Sequence, residues 1–340
     1  MIGRLFGMFS QDIAIDLGTA NTLVHVRGEG IVLDEPSVVA ITKAANRKVV
    51  AVGHEAKEML GRTPGNIEAI RPMREGVIAD FAVTEAMLKY FIRKAQRRRG
   101  TSWSRLVISI PAGITDVETK AVREAASAAG VREVLLIEQP MAAAVGAGLP
   151  VLDARGSLII DIGGGTTDVA VISLGGLVTY RTLKVAGDKM DEAIIQFVRR
   201  RSNILIGERT AEQVKIKIGN VHPSLQMPDM DLKGRDLVSG VPRSIKISGA
   251  DVREALVDTI QLMVEAVRTV LEQTPPELSA DLAERGIILV GGGAQLQGLD
   301  LLLREETGIP STVAEDPLLA VVNGVGMVLE DLDRYRGLLF

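Results

Sequence analysis

The 340-residue sequence contains no cysteine, which excludes disulfide bonds and thiolate metal sites. Only 3% of its residues are aromatic while 46% are hydrophobic, and this favours a core of aliphatic strands and helices. No apolar stretch approaches the roughly 20 residues that a helix needs to cross a bilayer, and the start lacks the features of a signal peptide. The net charge of −4 gives no basic footprint, so nucleic acid is not an expected partner. The expected location is the cytoplasm.

One strand–turn–strand pattern occurs twice in the sequence. An apolar run ends in Asp16, turns at Gly18 and returns over residues 22–26. A second apolar run ends in Asp161, passes three glycines and returns over residues 169–172. Two hairpins of one design, about half a chain apart, predict a duplicated fold with a ligand between the halves.

Capping boxes predict three helix starts, at Thr115, Thr210 and Ser248, because a carboxylate or amide residue follows each hydroxyl residue by three positions. The helix after Ser248 is long and amphipathic, and the prolines after Thr274 end it. Its apolar face is predicted to contain Val252, Leu256, Ile260, Met263, Val267 and Val270. Strands alternating with helices on this scale predict an α/β fold with mostly parallel sheets between helices.

The two hairpins have the chemistry of a phosphate site. Glycine lets backbone N–H groups approach phosphate oxygens, and an aspartate at the strand end can hold a hydrated magnesium ion. The first hairpin alone is equally compatible with an ordinary turn, but the second copy favours a polyphosphate ligand. A third glycine-rich turn, residues 291–294, follows a buried strand and can pass its backbone against an adenosine. The sequence has neither a Walker A motif nor a G-x-G-x-x-G fingerprint, so simple P-loop and Rossmann folds are excluded.

Together these segments resemble the actin, Hsp70 and hexokinase superfamily. Residues 16–22 match its first phosphate motif, residues 161–168 its second and residues 290–294 its adenosine motif. Within the superfamily the chain is similar over nearly its whole length to the bacterial shape-determining MreB family. The segments that carry this closer similarity are residues 15–23, 35–40, 59–65, 70–73, 140–144, 187–194 and 275–278.

The resemblance implies an actin-like, ribonuclease H-like fold with two α/β halves around a nucleotide cleft. The first half is expected to contain residues 1–143 and 321–340, and the second residues 144–320. Less regular segments, at about residues 32–80 and 184–249, are expected to be subdomains inserted into the two halves.

The same resemblance implies ATP and Mg²⁺ as cofactors. Asp16 and Asp161 are expected to hold the metal ion through water. Glu212 and Lys215 are expected to face the ribose and base, although on sequence alone they are an ordinary surface pair one helical turn apart. The implied nucleotide-binding residues are Asp16, Gly18, Thr19, Ala20, Asn21, Gly163, Gly164, Gly165, Thr166, Glu212, Gln213, Val214, Lys215, Gly291, Gly292, Gly293 and Ala294.

Gln139 occupies the place where the MreB family usually has a catalytic glutamate. A glutamine cannot accept a proton as a carboxylate does, but its amide can orient an attacking water. Slow hydrolysis is therefore expected, with Gln139, Thr166 and Asp161 as the catalytic residues. Glu138 is the alternative base, but its neighbouring position on an extended segment points elsewhere.

Two segments are candidates for membrane contact. The N-terminal residues Leu5, Phe6 and Phe9 form a short amphipathic stretch that can lie among lipid headgroups, and Trp103 lies in a basic loop. An ordinary chain start and a solvated helix end explain the same residues equally well.

The resemblance implies an ATPase that assembles with itself into paired protofilaments on the inner face of the cytoplasmic membrane. These filaments are expected to guide wall synthesis with cell-elongation proteins. A nonpolymerising regulatory paralogue and a small-molecule kinase of the same fold remain alternatives. An Hsp70-type chaperone is disfavoured, because little chain follows the nucleotide domain.

Overall fold

The computed structural model describes residues 10–44, 46–95 and 102–340. Contacts group the chain into two compact units. The first comprises Met1–Arg155, Ile172–Leu177 and Leu318–Phe340, and the second comprises Gly156–Val171 and Val178–Pro317. Among the described residues, no helix is both long enough and apolar enough to cross a membrane.

Eighteen strands lie in the described residues. They are β1 (Ser10–Leu17), β2 (Asn21–Val26), β3 (Gly30–Pro36), β4 (Val39–Thr42), β5 (Val49–Val52), β6 (Ile67–Ile70), β7 (Met73–Arg74), β8 (Val77–Ile78), β9 (Ser102–Ile110), β10 (Glu133–Glu138), β11 (Ser157–Ile162), β12 (Thr167–Ser173), β13 (Gly176–Leu183), β14 (Ile204–Leu205), β15 (Met230–Asp236), β16 (Pro242–Ile247), β17 (Ile287–Val290) and β18 (Ser311–Val313).

The helices are α1 (His54–Met59), α2 (Phe81–Ala95), α3 (Asp116–Ala128), α4 (Gln139–Gly146), α5 (Gly187–Ser202), α6 (Glu208–Ile218), α7 (Gly249–Gln273), α8 (Pro276–Arg285), α9 (Leu299–Thr307), α10 (Ala320–Glu330) and α11 (Leu332–Tyr335). Short 3₁₀ helices cover Gly292–Gln295 and Arg336–Leu338.

The first unit is built on a five-stranded sheet with the order β10-β9-β1-β2-β3. Strand β1 pairs in parallel with β9 and antiparallel with β2, so it has a hydrogen-bonded neighbour strand on each side. Helices α4 and α10 cover this sheet and pack closely, since a Cβ at Gly324 would lie 1.8 Å from the carbonyl oxygen of Ala142. This packing fixes the helix that begins with Gln139.

The second unit repeats the plan with the sheet order β13-β12-β11-β17-β18. The long helix α7 packs in its core, and all six apolar residues predicted for its inner face are buried. The predicted cap is also confirmed, because the hydroxyl of Ser248 accepts from the N–H of Asp251 and the Asp251 carboxylate accepts from the N–H of Ser248.

Of the other two predicted caps, one is right and one is wrong. Thr115 and Glu118 form the expected capping box at the start of α3. Helix α6, however, begins at Glu208 with the extended residue Gly207 as its cap, so Thr210 lies inside the first turn. A carboxylate at the first helical position interacts favourably with the helix dipole, which supports the earlier start.

Smaller sheets accompany each main sheet. In the first unit β4 lies between β5 and β6 and β7 pairs with β8, and in the second unit β15 lies between β14 and β16. They occur within the two segments that the sequence marks as less regular.

Candidate functional site

The first unit contains the first predicted hairpin, formed by β1 and β2. The N–H of Gly18 donates to the carbonyl oxygen of Asn21 at 3.1 Å and closes the turn. A Cβ at Gly18 would lie 2.6 Å from that oxygen, so only glycine fits. Ser37 braces the turn from outside, since its hydroxyl donates to the carbonyl oxygen of Gly18 at 2.7 Å and its N–H donates to that of Ala20 at 2.9 Å. The turn is thus held in one conformation.

Asp16 is the second-last residue of β1 and is buried, with 9% exposure. The hydroxyl of Ser109 donates to its Oδ1 at 2.7 Å, and the side chain of Gln139 also hydrogen-bonds to it. Burial raises the pKa of Asp16 to about 6, although both hydrogen bonds act in the opposite direction. A carboxylate with this desolvation cost is suited to receive a metal ion, because the positive charge of the ion offsets the cost.

Gln139 is the first residue of α4 and is 8% exposed. The structure therefore brings it together with Asp16 at the end of the sheet, and both belong to the first unit. The adjacent Glu138 is the last residue of β10 and is partly buried, and this burial raises its pKa. No hydrogen bond to Asp16 involves Glu138 among those described.

Thr19, the next residue of the turn, is 7% exposed, and its hydroxyl accepts from the N–H of Gly76 at 3.3 Å. This contact ties the turn to the β7–β8 hairpin. Ala20 is exposed and Asn21 partly exposed, so the outer edge of the turn is accessible for a ligand.

The second hairpin, formed by β11 and β12, repeats the first. The N–H of Gly163 donates to the carbonyl oxygen of Thr166 at 2.9 Å, the same three-residue reach as in the first turn. Asp161 is 7% exposed and occupies the position of Asp16. Gly163 and Gly164 are partly exposed, whereas Gly165 and Thr166 are buried. The predicted duplication of the hairpin is therefore present at the level of individual hydrogen bonds.

The third glycine-rich segment lies beside Asp161. Strand β17 pairs in parallel with β11, which sets Val290 opposite Asp161. Gly291 has a φ of +81°, and a Cβ there would lie 2.4 Å from the carbonyl oxygen of Ile162 and 2.5 Å from Oδ1 of Asp161. The 3₁₀ helix Gly292–Gln295 follows, with Gly292 exposed and Ala294 buried. Asp161 and residues 291–294 thus lie side by side in the second unit.

Helix α6 carries the residues expected to face the nucleoside. Lys215 donates to the carbonyl oxygen of Gly187 at 2.9 Å and lies 3.0 Å from Asp191. Glu212 is partly exposed and Gln213 exposed, while the side chain of Val214 is fully buried in the core of the unit. Contact of Val214 with a ligand would therefore involve its backbone.

Sequence reasoning missed Ser109 and Ser37, the two serines that fix the first hairpin. Ser109 is 93 positions from Asp16, and only the parallel register of β1 and β9 sets them side by side. A polar residue near the end of the apolar run 106–110 was the available signal, because strand ends are where sheets of this class bind ligands.

The residues fit a magnesium nucleotide. Nowhere in the part of the chain that the structure describes do three or more His, Asp or Glu side chains gather as a metal-ligating group. Mg²⁺ needs no such group, since it binds through one or two carboxylates, waters and phosphate oxygens. Asp16 and Asp161 each supply one buried carboxylate beside a turn with accessible glycine or alanine backbone.

The predicted membrane residues Leu5, Phe6 and Phe9 lie outside the described residues. The backbone of Trp103 belongs to β9 and pairs with Gln11 of β1.

Comparisons with known proteins agree with this geometry. A family model described as MreB/Mbl protein matches residues 10–337. The cell shape-determining protein MreB of Escherichia coli (strain K12) is 54% identical over 344 residues, which cover 100% of this chain and 99% of that protein.

Solved structures give the same result. MreB5 of Spiroplasma citri aligns with TM-scores of 0.90 bound to ADP and 0.89 bound to AMPPNP, at 36% and 35% identity, over 96% of this chain and 98% and 97% of the two neighbours. The MamK double helical filament aligns at a TM-score of 0.80 and 23% identity over 94% of this chain and 99% of its own, which supports the fold alone. The predicted actin-like fold is confirmed, and the chain belongs to the MreB/Mbl family.

Proposed function

We propose that this chain binds ATP with Mg²⁺, hydrolyses it slowly and assembles into filaments on the inner face of the cytoplasmic membrane, where they guide wall synthesis and rod shape. The observation that carries the proposal is the repeated hairpin, in which a buried aspartate precedes a closed turn with accessible backbone. The family and the nucleotide-bound relatives support it.

In this proposal each hairpin offers backbone N–H groups to phosphate oxygens, and Asp16 and Asp161 hold Mg²⁺ through water. When bound, the metal ion would neutralise negative charge on the phosphates. Gln139 orients the attacking water, since its side chain is buried beside Asp16 and its amide has both a donor and an acceptor. Thr166 supports that water, and residues 291–294 with the exposed face of α6 contact the nucleoside.

Hydrolysis is expected to be slow because the chain has no established general base at this point. Gln139 cannot take a proton, and Glu138 has a pKa raised by burial but does not share the hydrogen bonds of Asp16. Positioning and electrostatic stabilisation then supply the catalysis.

Filament formation is proposed from the family and from the fold shared with the MamK double helical filament. Membrane attachment is proposed through Leu5, Phe6, Phe9 and Trp103, each of which contributes weakly. Attachment then grows with filament length, because every added subunit repeats the same weak contact.

Pelleting of the purified protein with anionic and with neutral liposomes, with and without Mg-ATP, tests the assembly proposal. Negative-stain imaging of the pellets distinguishes filaments from aggregates. Paired filaments that need Mg-ATP and collect on anionic liposomes support the proposal. Deletion of residues 1–9 together with Trp103→Ala should reduce liposome pelleting, whereas Val117→Ala serves as a control at an exposed apolar position outside both segments.

Two outcomes contradict the proposal. ATP binding without filaments over a range of salt and protein concentrations favours a nonpolymerising regulatory paralogue. ATP turnover that is stimulated by small hydroxyl or carboxylate compounds favours a small-molecule kinase.

A further inference from the structure

A lysine ties helix α6 to the second hairpin. The Lys215 ammonium group donates to the carbonyl oxygen of Gly187 at 2.9 Å, and its side chain is only 17% exposed. The N–H of Gly187 in turn donates to the carbonyl oxygen of Gly163 at 3.2 Å, and the N–H of Asp188 donates to that of Gly164 at 2.8 Å. The turn of the hairpin is therefore connected to Lys215 through the first residues of α5.

Asp191 holds the lysine in this position. It lies one turn after Gly187 on α5, and its Oδ1 is 3.0 Å from the Lys215 ammonium nitrogen. At this distance the two side chains form a partly buried ion pair. Burial raises the pKa of Asp191 to about 6, Lys215 opposes this rise, and Glu212 and Asp188 add to it. Asp191 is thus charged at neutral pH and loses its charge below about pH 6.

The residues around this arrangement pack closely. A Cβ at Gly187 would lie 3.3 Å from both the Gly163 carbonyl oxygen and the Lys215 nitrogen. The neighbouring residues Ala186, Met190 and Val214 are fully buried in the core of the unit. The contacts between Lys215, Gly187 and Gly163 are therefore closely packed.

We propose that Asp191 is a positioning residue for nucleotide binding. By holding Lys215 on the Gly187 carbonyl, it couples helix α6, expected to face the ribose and base, to the hairpin expected to hold the phosphates. The inference rests on the proposed nucleotide site. It assigns Lys215 a brace within the protein, whereas the family resemblance expects it to face the nucleoside.

The effect of the coupling on affinity depends on whether the ligand carries phosphates. A nucleotide with phosphates uses the hairpin, so its binding depends on the brace. Adenosine has no phosphate and contacts only residues 291–294 and α6, so its affinity does not depend on the brace. Loss of the Asp191 charge therefore weakens ATP binding selectively.

Calorimetry of ATP and adenosine binding to Asp191→Asn tests the proposal, together with hydrogen exchange of the amides of residues 163–166 in the nucleotide-free protein. Glu192→Gln is the matched control, because it removes one carboxylate from the same helix at an exposed position that pairs only with Lys189 among the described contacts. At pH 7.5, Asp191→Asn should lower ATP affinity about fivefold, the equivalent of one hydrogen bond of ordinary strength. Adenosine affinity should stay unchanged and the hairpin amides should exchange faster, while Glu192→Gln alters none of these.

The pH profile provides a second readout. The wild type should bind ATP more tightly than Asp191→Asn at pH 7.5, and this ratio should approach one as the pH falls below about 6, where Asp191 is protonated. The groups that set this titration are Lys215 and Glu212 on α6 and Asp188 on α5. Because the ATP affinity of the wild type is divided by that of Asp191→Asn at each pH, the titration of ATP itself and of other groups cancels.

Equal losses of ATP and adenosine affinity in Asp191→Asn overturn the proposal, because they indicate general damage to the unit. Unchanged ATP affinity with faster hairpin exchange also overturns it, because the brace would then be unconnected to binding. If the wild type itself binds no ATP, the proposed function fails first, which distinguishes the two failures.

Discussion

Replacement of Asp16 by asparagine should stabilise the protein when nucleotide and metal are absent. In the folded chain, burial raises the pKa of Asp16 from 3.8 to about 6. Between these values the folded state binds more protons than the unfolded state, so stability falls as the pH rises from about 4 to about 6 and then stays at the lower level. The ionised form costs up to about 3 kcal/mol, at about 1.36 kcal/mol for each factor of ten in proton affinity.

Asparagine is neutral at every pH and lacks this cost. Asp16→Asn should therefore be more stable than the wild type by at most about 3 kcal/mol at pH 8, and the gain should be about 1.4 kcal/mol smaller at pH 5. The pKa of about 6 already includes the hydrogen bonds from Ser109 and Gln139, which favour the carboxylate, so they do not reduce this gain further.

Urea unfolding in EDTA at pH 5 and pH 8 measures the effect, with Asp153→Asn as a control for an exposed carboxylate of the same unit. With Mg-ATP added, the order should reverse, because only the wild type gains binding energy through the metal ion. A variant that is less stable than the wild type at both pH values would refute the reasoning, as would a gain that does not change with pH.

Two further substitutions test neighbouring parts of the site. Gln139→Ala should lower phosphate release about 100-fold with little change in ATP affinity, because it removes the group that orients water; an unchanged rate would move that role to Glu138. Gly291→Ala should cost more than Gly308→Ala in urea unfolding, because both residues have positive φ but only Gly291 lies against other atoms. Gly308 lies in the left-handed helical region, where a side chain costs about 1 kcal/mol, whereas Gly291 lies in an extended region with positive φ that is nearly restricted to glycine. The excess therefore measures this backbone conformation together with the close approach to Asp161 and Ile162; equal losses would mean that the strand ends are not tightly packed.

Local patterns in the sequence were sufficient for most of the fold. The repeated hairpins were predictable because their turns depend on residues three positions apart, as the Gly18–Asn21 and Gly163–Thr166 hydrogen bonds confirm. The capping boxes at Thr115 and Ser248 were predictable for the same reason. The box at Thr210 was wrong because Gly207 and Glu208 provide an earlier start that the motif alone does not reveal.

Features that depend on packing between distant segments were not predictable. Ser109 supports Asp16 only because β9 pairs beside β1. The brace from Lys215 to Gly187 depends on how α5 and α6 pack, whereas the sequence gives only that Glu212 and Lys215 share a helix face. The roles of the individual site residues stay predictions until binding and hydrolysis are measured.

The most direct test of the account is the magnesium dependence of ATP affinity in the wild type, Asp161→Asn and the exposed control Asp153→Asn. The wild type and the control should bind ATP much more tightly with Mg²⁺ than with EDTA, and folded Asp161→Asn should lose most of this difference. ATP affinity in Asp161→Asn that matches the wild type at every magnesium concentration would contradict the assignment of the hairpin as a phosphate and metal site.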